Sequence, residues 1–585
     1  MQNNIKLLLS VVYFFIAFLF WGICFPYHLL YQEQYLLFLY TNDYLLDKLL
    51  YPGGICEYVA EFLTQFYYYP WLGAIIVSFC LWAIHIVMYR IMNKIHKEKS
   101  VFWYVLSFIP SLVVWSFLCD ENSLLAGAIS LLVSMTLAYG YMLLSGIKKK
   151  YCYVLLMTPF AYWSTGGLSV VMLGLILVYE WIVDISATMK TKVIVTLILV
   201  LSLLVSVCLA ISYLHYPALR LLTGLGYYRF PTVFPLTILS SGIIVILIGI
   251  IIKYLPIYSK SYIWPMVFHY IVILVIGVMW IYSVADMKKE RDMAYDYWVR
   301  TSQWQRIITA AEDEIPDTPL SVVCLNLALG KTGQLGERMF QFFQNGTEGL
   351  IPDFVRDYTL PLTVNEVYYH LGMINTSQRY VFEAMEANPS YHKSARCISR
   401  LVETNILNGD YRVASKYLSL LKHTLFYRKW AEQTEEYLYN EDKIDLHPEW
   451  GNLRKMRYEE DFLFSENEKD MMLGLLLVKN KSNRLAFEYL LAYTLLKRDV
   501  NSFLKYYPLG KNMGYNFIPR SYQEALVYVW TQTHPNFHGI PWSISPIVMK
   551  EVTEFATHYI RKPNDEAFFK NRFGKSYWYY LLFRK

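Results

Sequence analysis

Three polar stretches in an otherwise apolar chain carry residues able to do chemistry. In "YQEQ", Glu33 stands between Gln32 and Gln34, with Leu29, Leu30, Leu36 and Leu37 on either side. In "CDENS", Asp120 and Glu121 directly follow a long apolar run, and "HYPALRLLTGLGYYRF" holds His215, Arg220, Tyr228 and Arg229. A carboxylate can take the proton of a hydroxyl nucleophile, and positive charge can hold a departing phosphate. Glu33, Asp120 and Glu121 are therefore the candidate catalytic residues, and Arg220, Arg229, His215 and Tyr228 the candidate ligands of a lipid phosphate. A divalent cation on Asp120 and Glu121 would serve in place of the arginines, because hard cations favour carboxylate oxygen. Each residue also has a plainer explanation. Glu33 can be simple interfacial polarity, one acid of the second stretch can cap the helix beginning near Ser123, and the arginines can meet lipid headgroups. Asp43 and Asp47 read as a solvated helix face. The twelve histidines form no H-E-x-x-H motif and the eight cysteines no C-x-x-C pair, so the identity of any metal or other cofactor stays open.

These stretches must be positioned by membrane helices. With 55% hydrophobic and 17% charged residues, the composition excludes an ordinary soluble multidomain protein. About nine apolar runs approach the roughly 20 residues that a bilayer requires. They are Ile5 to Tyr27, Trp71 to Ile91, Val101 to Leu118, Leu124 to Leu144, the short Tyr153 to Trp163, Leu168 to Val183, Val193 to Leu214, Thr232 to Ile252 and Ile263 to Val284. The fifth, followed by "STGG", is either a full span or a re-entrant segment. The net charge of +6 comes from Lys and Arg in short alternate loops, which is a topology signal and not a nucleic-acid footprint. Lys6, then Arg90, Lys94, Lys97 and Lys99, then Lys148 to Lys150, then Lys190 and Lys192, then Lys253 and Lys260 mark the cytoplasmic side. The loops carrying the candidate residues then open outside, and an odd number of spans exports the chain beyond Asp286. The expected domains are a transmembrane bundle over 1–286 and an extracytoplasmic domain over 287–585. Within the long first external loop, 28–70, "GICEYVAEFLTQFYYY" spaces Glu57, Glu61 and Gln65 as an amphipathic helix lying at the interface would, after a turn at "YPGG". Glu180, His85 and His269 stand singly in their spans, which argues against a transporter.

The exported half reads as all helical. "CLNLALGKTGQLGERMFQFF" and "LVETNILNGDYRVASKYLSLL" each set a Gly-containing turn between two helical patterns and resemble the tetratricopeptide unit, so the expectation is an α-solenoid. Cys324 and Cys397 fall in this half, where a disulfide would be permitted. The aromatic tail "NRFGKSYWYYLLFRK" must dock on its own domain or at the membrane interface.

The layout of the membrane half resembles that of C-type glycosyltransferases, which take sugars from polyprenyl-phosphate donors: an acidic first external loop with interfacial helices, a second acidic spot after the third span, and an exported C-terminal domain. That family's first loop usually carries a closely spaced acidic pair, whereas Glu33 here has amide neighbours, a departure that weakens the expectation of a metal at this loop. Over the whole chain, "YQEQYLLFLYTNDYL", "YPGGICEYVAEFLTQFYYYPWLGA" and "FGKSYWYY" resemble an uncharacterised family of multi-pass envelope proteins from Gram-negative bacteria, a domain of unknown function. This resemblance implies an inner-membrane location and no activity. Two readings compete. One is an enzyme of envelope biogenesis whose partners are membrane lipids, polyprenyl phosphate among them. The other is a non-enzymatic anchor whose solenoid binds or assembles an envelope protein.

Overall fold

The computed structural model describes residues 2–96, 101–184, 187–230, 233–254, 263–355, 359–387, 393–458, 465, 468–534, 537 and 539–584. Lys97, Lys99, Pro231, Thr232, Lys260 and Lys585, which figure in the loop, span and tail assignments above, lie outside the described residues. The chain is all helical. Among the described residues, strand pairing is confined to one isolated antiparallel bridge between Ser123 and Tyr228.

Contacts divide the chain into two compact units. The first comprises Met1–Glu290 together with Asn388–Ala395 and Leu420–Lys429, and the second comprises Arg291–Ala387, Arg396–Ser419 and Trp430–Lys585. In chain order, the helices of the first unit are α1 (Gln2–Leu19), α2 (Pro26–Glu33), α3 (Asn42–Leu49), α4 (Gly54–Thr64), α5 (Pro70–Ile95), α6 (Val101–Leu106) and α7 (Phe108–Leu118). Next come α8 (Leu125–Met142), α9 (Ile147–Thr165), α10 (Ser169–Val178), α11 (Met189–Tyr213), α12 (Ala218–Thr223), α13 (Leu236–Tyr254) and α14 (Ile263–Val284).

Among the described residues, seven helical stretches are long and apolar enough to cross a membrane, and Trp103–Leu118 is a shorter apolar helix. One of the seven, Ile147–Val183, absorbs both the fifth and the sixth apolar runs. It is not a single rod. As a straight helix it would hold residues 150 and 180 about 45 Å apart, yet Lys150 Nζ lies 2.5 Å from Glu180 Oε1 and 3.0 Å from Asp184 Oδ2. The chain therefore folds back between α9 and α10. Gly166 makes the reversal, at φ +63°, a backbone region that a side chain would strain. Glu180, expected to stand alone, is in fact paired with Lys150 and also accepts from the Tyr141 hydroxyl at 2.9 Å. His85 is a core residue, bonded to Ser10 and Ser107 and stacked on Phe108 at 3.6 Å.

Helix α4 does not turn its acidic side to solvent. Its acidic face is turned inward: Glu57 is 5% exposed, Glu61 2% and Gln65 6%. The helix packs against α8 and α9. The reason is electrostatic, because Lys48 on α3 offers those carboxylates a buried partner. Exposed apolar residues of this region include Leu46, Leu49 and Leu50, on α3 and just after it, and Val59 on α4.

The second unit contains helix–turn–helix pairs in which a left-handed residue makes the turn. Gly333 (φ +70°) follows Pro319–Lys331, Gly372 (φ +91°) separates Thr359–Leu371 from Ile374–Glu386, and Arg498 (φ +62°) separates Arg484–Leu496 from Val500–Tyr506. Cys324 and Cys397 are both buried. The aromatic tail docks within this unit. The backbone N–H of Tyr577 donates to Glu524 Oε2 at 2.6 Å, Trp578 Nε1 donates to the Glu524 carbonyl at 2.9 Å, and Tyr580 donates to the Leu496 carbonyl at 2.9 Å.

Candidate functional site

The site in the first unit is built where interhelical segments at one end of the bundle meet. The segments 120–124 and 227–229 zip together through backbone bonds, Leu124 N to Tyr227 O at 3.0 Å and Arg229 N to Asn122 O at 2.8 Å. Side chains reinforce the junction. Tyr228 donates its hydroxyl to Asp120 Oδ2 at 3.0 Å, and Asp120 Oδ1 accepts from the Asn122 N–H at 2.9 Å. Burial, with the Asp120 charge added, holds the Tyr228 phenol above its ordinary range. Helix α2 docks on the same junction through Gln32, whose Nε2 donates to the Ser123 carbonyl at 2.8 Å. Its N-terminus is capped by Glu290, which accepts from the backbone of Tyr27 and His28 at 2.7 and 2.9 Å.

Two segments remote in sequence complete this end. Leu37 N donates to the Lys393 carbonyl at 3.0 Å, and Tyr40 N to the His423 carbonyl at 2.8 Å. Phe426 stacks on Tyr68 with ring centres 5.1 Å apart. The Tyr427 hydroxyl donates to Glu33, 2.9 and 3.0 Å from its two carboxylate oxygens.

Beside this junction lies a cavity of about 680 Å³. Its carboxylates are Asp43, Asp47 and Glu57, and its cations are Lys48, Arg229 and Lys393. Tyr44, Tyr51, Tyr216 and Tyr228 add phenols. At its base Lys48 Nζ lies 2.6 Å from Glu57 and 2.8 Å from Glu61, and Tyr44 donates to Glu61. Burial opposes a charged amine here, but the two carboxylates prevail and raise the Lys48 pKa above its ordinary value. The buried Arg229 lays its guanidinium over Tyr35, 3.8 Å from the ring centre. Gly226 fits against Glu57 so closely that a Cβ there would lie 2.2 Å from Oε2.

The sequence candidates therefore separate. Tyr228 and Arg229 line the cavity, and Asp120 touches it through Tyr228. Glu33 is buried under Tyr427, and Glu121 pairs with Lys289 at 2.7 Å. Arg220 turns elsewhere, donating to the Val233 carbonyl at 3.1 Å and lying 4.2 Å from the Phe234 ring centre. His215 is exposed and does not line the cavity. Asp120 and Glu121 also share a partner, the Asn122 side-chain amide, which donates to them at 3.4 and 3.3 Å. Among the described residues, no group of three or more His, Cys, Asp or Glu is placed to hold a metal ion.

Asp43 and Asp47, read from the sequence as a solvated helix face, are indeed exposed, and they also stand at the cavity wall. Sequence reasoning passed over Lys48, although a lone lysine in the acidic 28–70 loop was the available signal. Lys393 gave no local signal at all. No curated protein matches the chain, and no solved structure does. A model described as a family of unknown function, DUF6057, matches residues 2–584, and the chain belongs to that family.

Proposed function

We propose that this cavity binds a polyprenyl-phosphate sugar and transfers the sugar to an acceptor hydroxyl, in the manner of C-type glycosyltransferases. The observation that carries the reading is the opposition of cations and carboxylates in one cavity, Arg229 and Lys393 against Asp43 and Asp47. In the transfer, the bond from sugar C1 to phosphate oxygen breaks and its electron pair leaves on the phosphate, where Arg229 and Lys393 stabilise the charge. The acceptor oxygen bonds to C1 and gives its proton to Asp43 or Asp47. Those two aspartates take the proton-accepting role first considered for Glu33 and Asp120. The exposed Leu46, Leu49 and Leu50, on and just after the helix that carries both aspartates, give the lipid tail an apolar approach.

The same reading sets nine helices across the inner membrane, counting Trp103–Leu118 and the two arms of the 147–183 hairpin separately. The N-terminus then lies in the cytoplasm and the second unit in the periplasm, as the alternation of basic loops favours. The helix–turn–helix pairs of the second unit support a tetratricopeptide-like solenoid. Such a solenoid also keeps alive a second reading, a membrane-anchored scaffold that binds an envelope protein.

The test uses the full chain in nanodiscs doped with polyprenyl phosphate. The exposed Lys393→Ala is expected to weaken retention of the lipid roughly tenfold. Asp43→Asn/Asp47→Asn is expected to keep retention and abolish sugar transfer from a polyprenyl-phosphate sugar. If the wild type retains no more polyprenyl phosphate than uncharged polyprenol, the lipid-phosphate reading falls. If the double variant transfers normally, the aspartates are not the base.

A further inference from the structure

The second unit has a cavity of its own, of about 670 Å³, between the helices Arg484–Leu496 and Arg520–Thr533 and the segments 507–519 and 542–546. Tyr507, Tyr515, Phe517 and Trp542 contribute aromatic rings to its wall. Three of these are held by neighbouring rings. Tyr507 packs on Phe503 and Tyr522, with ring centres 5.7 and 6.5 Å away, and Trp542 meets Trp530 edge-on at 6.4 Å. Tyr515 is fixed by Phe487 at 6.0 Å, by the Arg484 guanidinium 4.6 Å from its ring centre, and by its hydroxyl donating to Glu488 at 3.1 Å. Phe517 is 65% exposed. Gln523 joins the two lining segments: its Nε2 donates to the Ile518 carbonyl at 2.6 Å and its Oε1 accepts from the Ser545 N–H at 2.7 Å. The positions of Tyr507, Tyr515 and Trp542 are set before any ligand arrives, which lowers the entropic cost of binding.

The charge around the cavity narrows the ligand. Among the described residues no carboxylate lines it, and the one cation is Lys511. Asn516 and Ser543 supply an amide and a hydroxyl. An anionic or cationic ligand would find little compensation, whereas aromatic faces flanked by amide and hydroxyl groups suit a molecule with flat C–H faces and a rim of hydroxyls. A pyranose ring has that form: its weakly positive C–H groups lie on the electron-rich ring face, and its hydroxyls pair at the edge. The volume falls within the usual range for small-ligand sites, about 300–1,000 Å³.

We propose that this cavity is a binding site for a neutral oligosaccharide. The proposal stands independently of the transfer reaction proposed above, since no residue is shared and the test reads binding alone. The full chain in phospholipid nanodiscs, free of sugar-based detergent, is titrated with maltotriose, cellotriose and chitotriose, with a proline-rich peptide as comparator. Saturation-transfer NMR and tryptophan fluorescence report binding. At least one trisaccharide is expected to bind at or below about 1 mM, with little dependence on salt. Phe517→Ala, which removes an exposed ring and leaves packing almost untouched, is expected to weaken it roughly tenfold, as is Trp542→Ala. Three results would each overturn the proposal: no trisaccharide binds, the Phe517 and Trp542 variants both bind as the wild type does, or only the proline-rich peptide binds.

Discussion

His28 illustrates what a single side chain at this end of the bundle contributes. It is buried against Trp21 and Phe25, with ring centres 5.5 and 5.4 Å away. Burial, only partly countered by the charge of Glu121, pushes its pKa down to about 4. The imidazole is therefore neutral in the folded protein, and on acidification the unfolded chain takes up the proton first. Its contribution to stability is complete above pH 6.5 and lost as the pH falls towards about 4. His28→Phe preserves an aromatic ring and removes the titration. Between about pH 7 and pH 5, the unfolding midpoint of the wild type is expected to drop further than that of the variant. Parallel slopes in thermal scans of the two proteins would remove His28 from the account.

At the scale of elements, the fit between the 215–230 segment and α4 is the exacting one. Gly226→Ala would drive a methyl group into the carboxylate of Glu57, which cannot swing aside without leaving Lys48. A loss of about 1–3 kcal/mol is expected, read as a lower unfolding midpoint in detergent. An unchanged midpoint would mean that α4 can shift without cost. Which elements exist was legible from local pattern: the long apolar runs announce themselves, and "STGG" after the short fifth run marks the place where the chain folds back at Gly166. What α4 faces was not. Glu57 and Glu61, four residues apart, define one side of a helix, but spacing alone does not say whether that side meets water or a lysine on the preceding helix. The candidate site was legible in part for the same reason. Tyr228 and Arg229 stood out as polar groups next to a span, whereas Arg220, equally conspicuous, turns towards Phe234.

Taken whole, the first unit is discontinuous, since 388–395 and 420–429 belong to it. These segments supply Lys393 to the cavity, backbone acceptors to Leu37 and Tyr40, and Tyr427 to Glu33. A fragment ending at residue 290 loses them all. It is expected to be less stable than the same unit within the full chain by at least on the order of 3–6 kcal/mol, two backbone hydrogen bonds, one charge-assisted bond and the aromatic contacts of Phe426 and Tyr427 with Phe66, Tyr68 and Tyr69 being forfeited. Denaturant titration of the fragment and the full chain, followed by tryptophan fluorescence of the bundle, measures the difference. Equal midpoints would show that the two segments add nothing. The same discontinuity puts a clock on the protein's birth. A ribosome adding about 5–20 residues per second needs on the order of ten to thirty seconds to go from Arg229 to Lys393. Throughout that interval the nascent bundle holds the Glu33 carboxylate ready while the hydroxyl that will cover it is still unmade. Premature termination between residues 290 and 393 therefore leaves a product that has its long apolar helices but lacks Lys393, a lysine of its cavity.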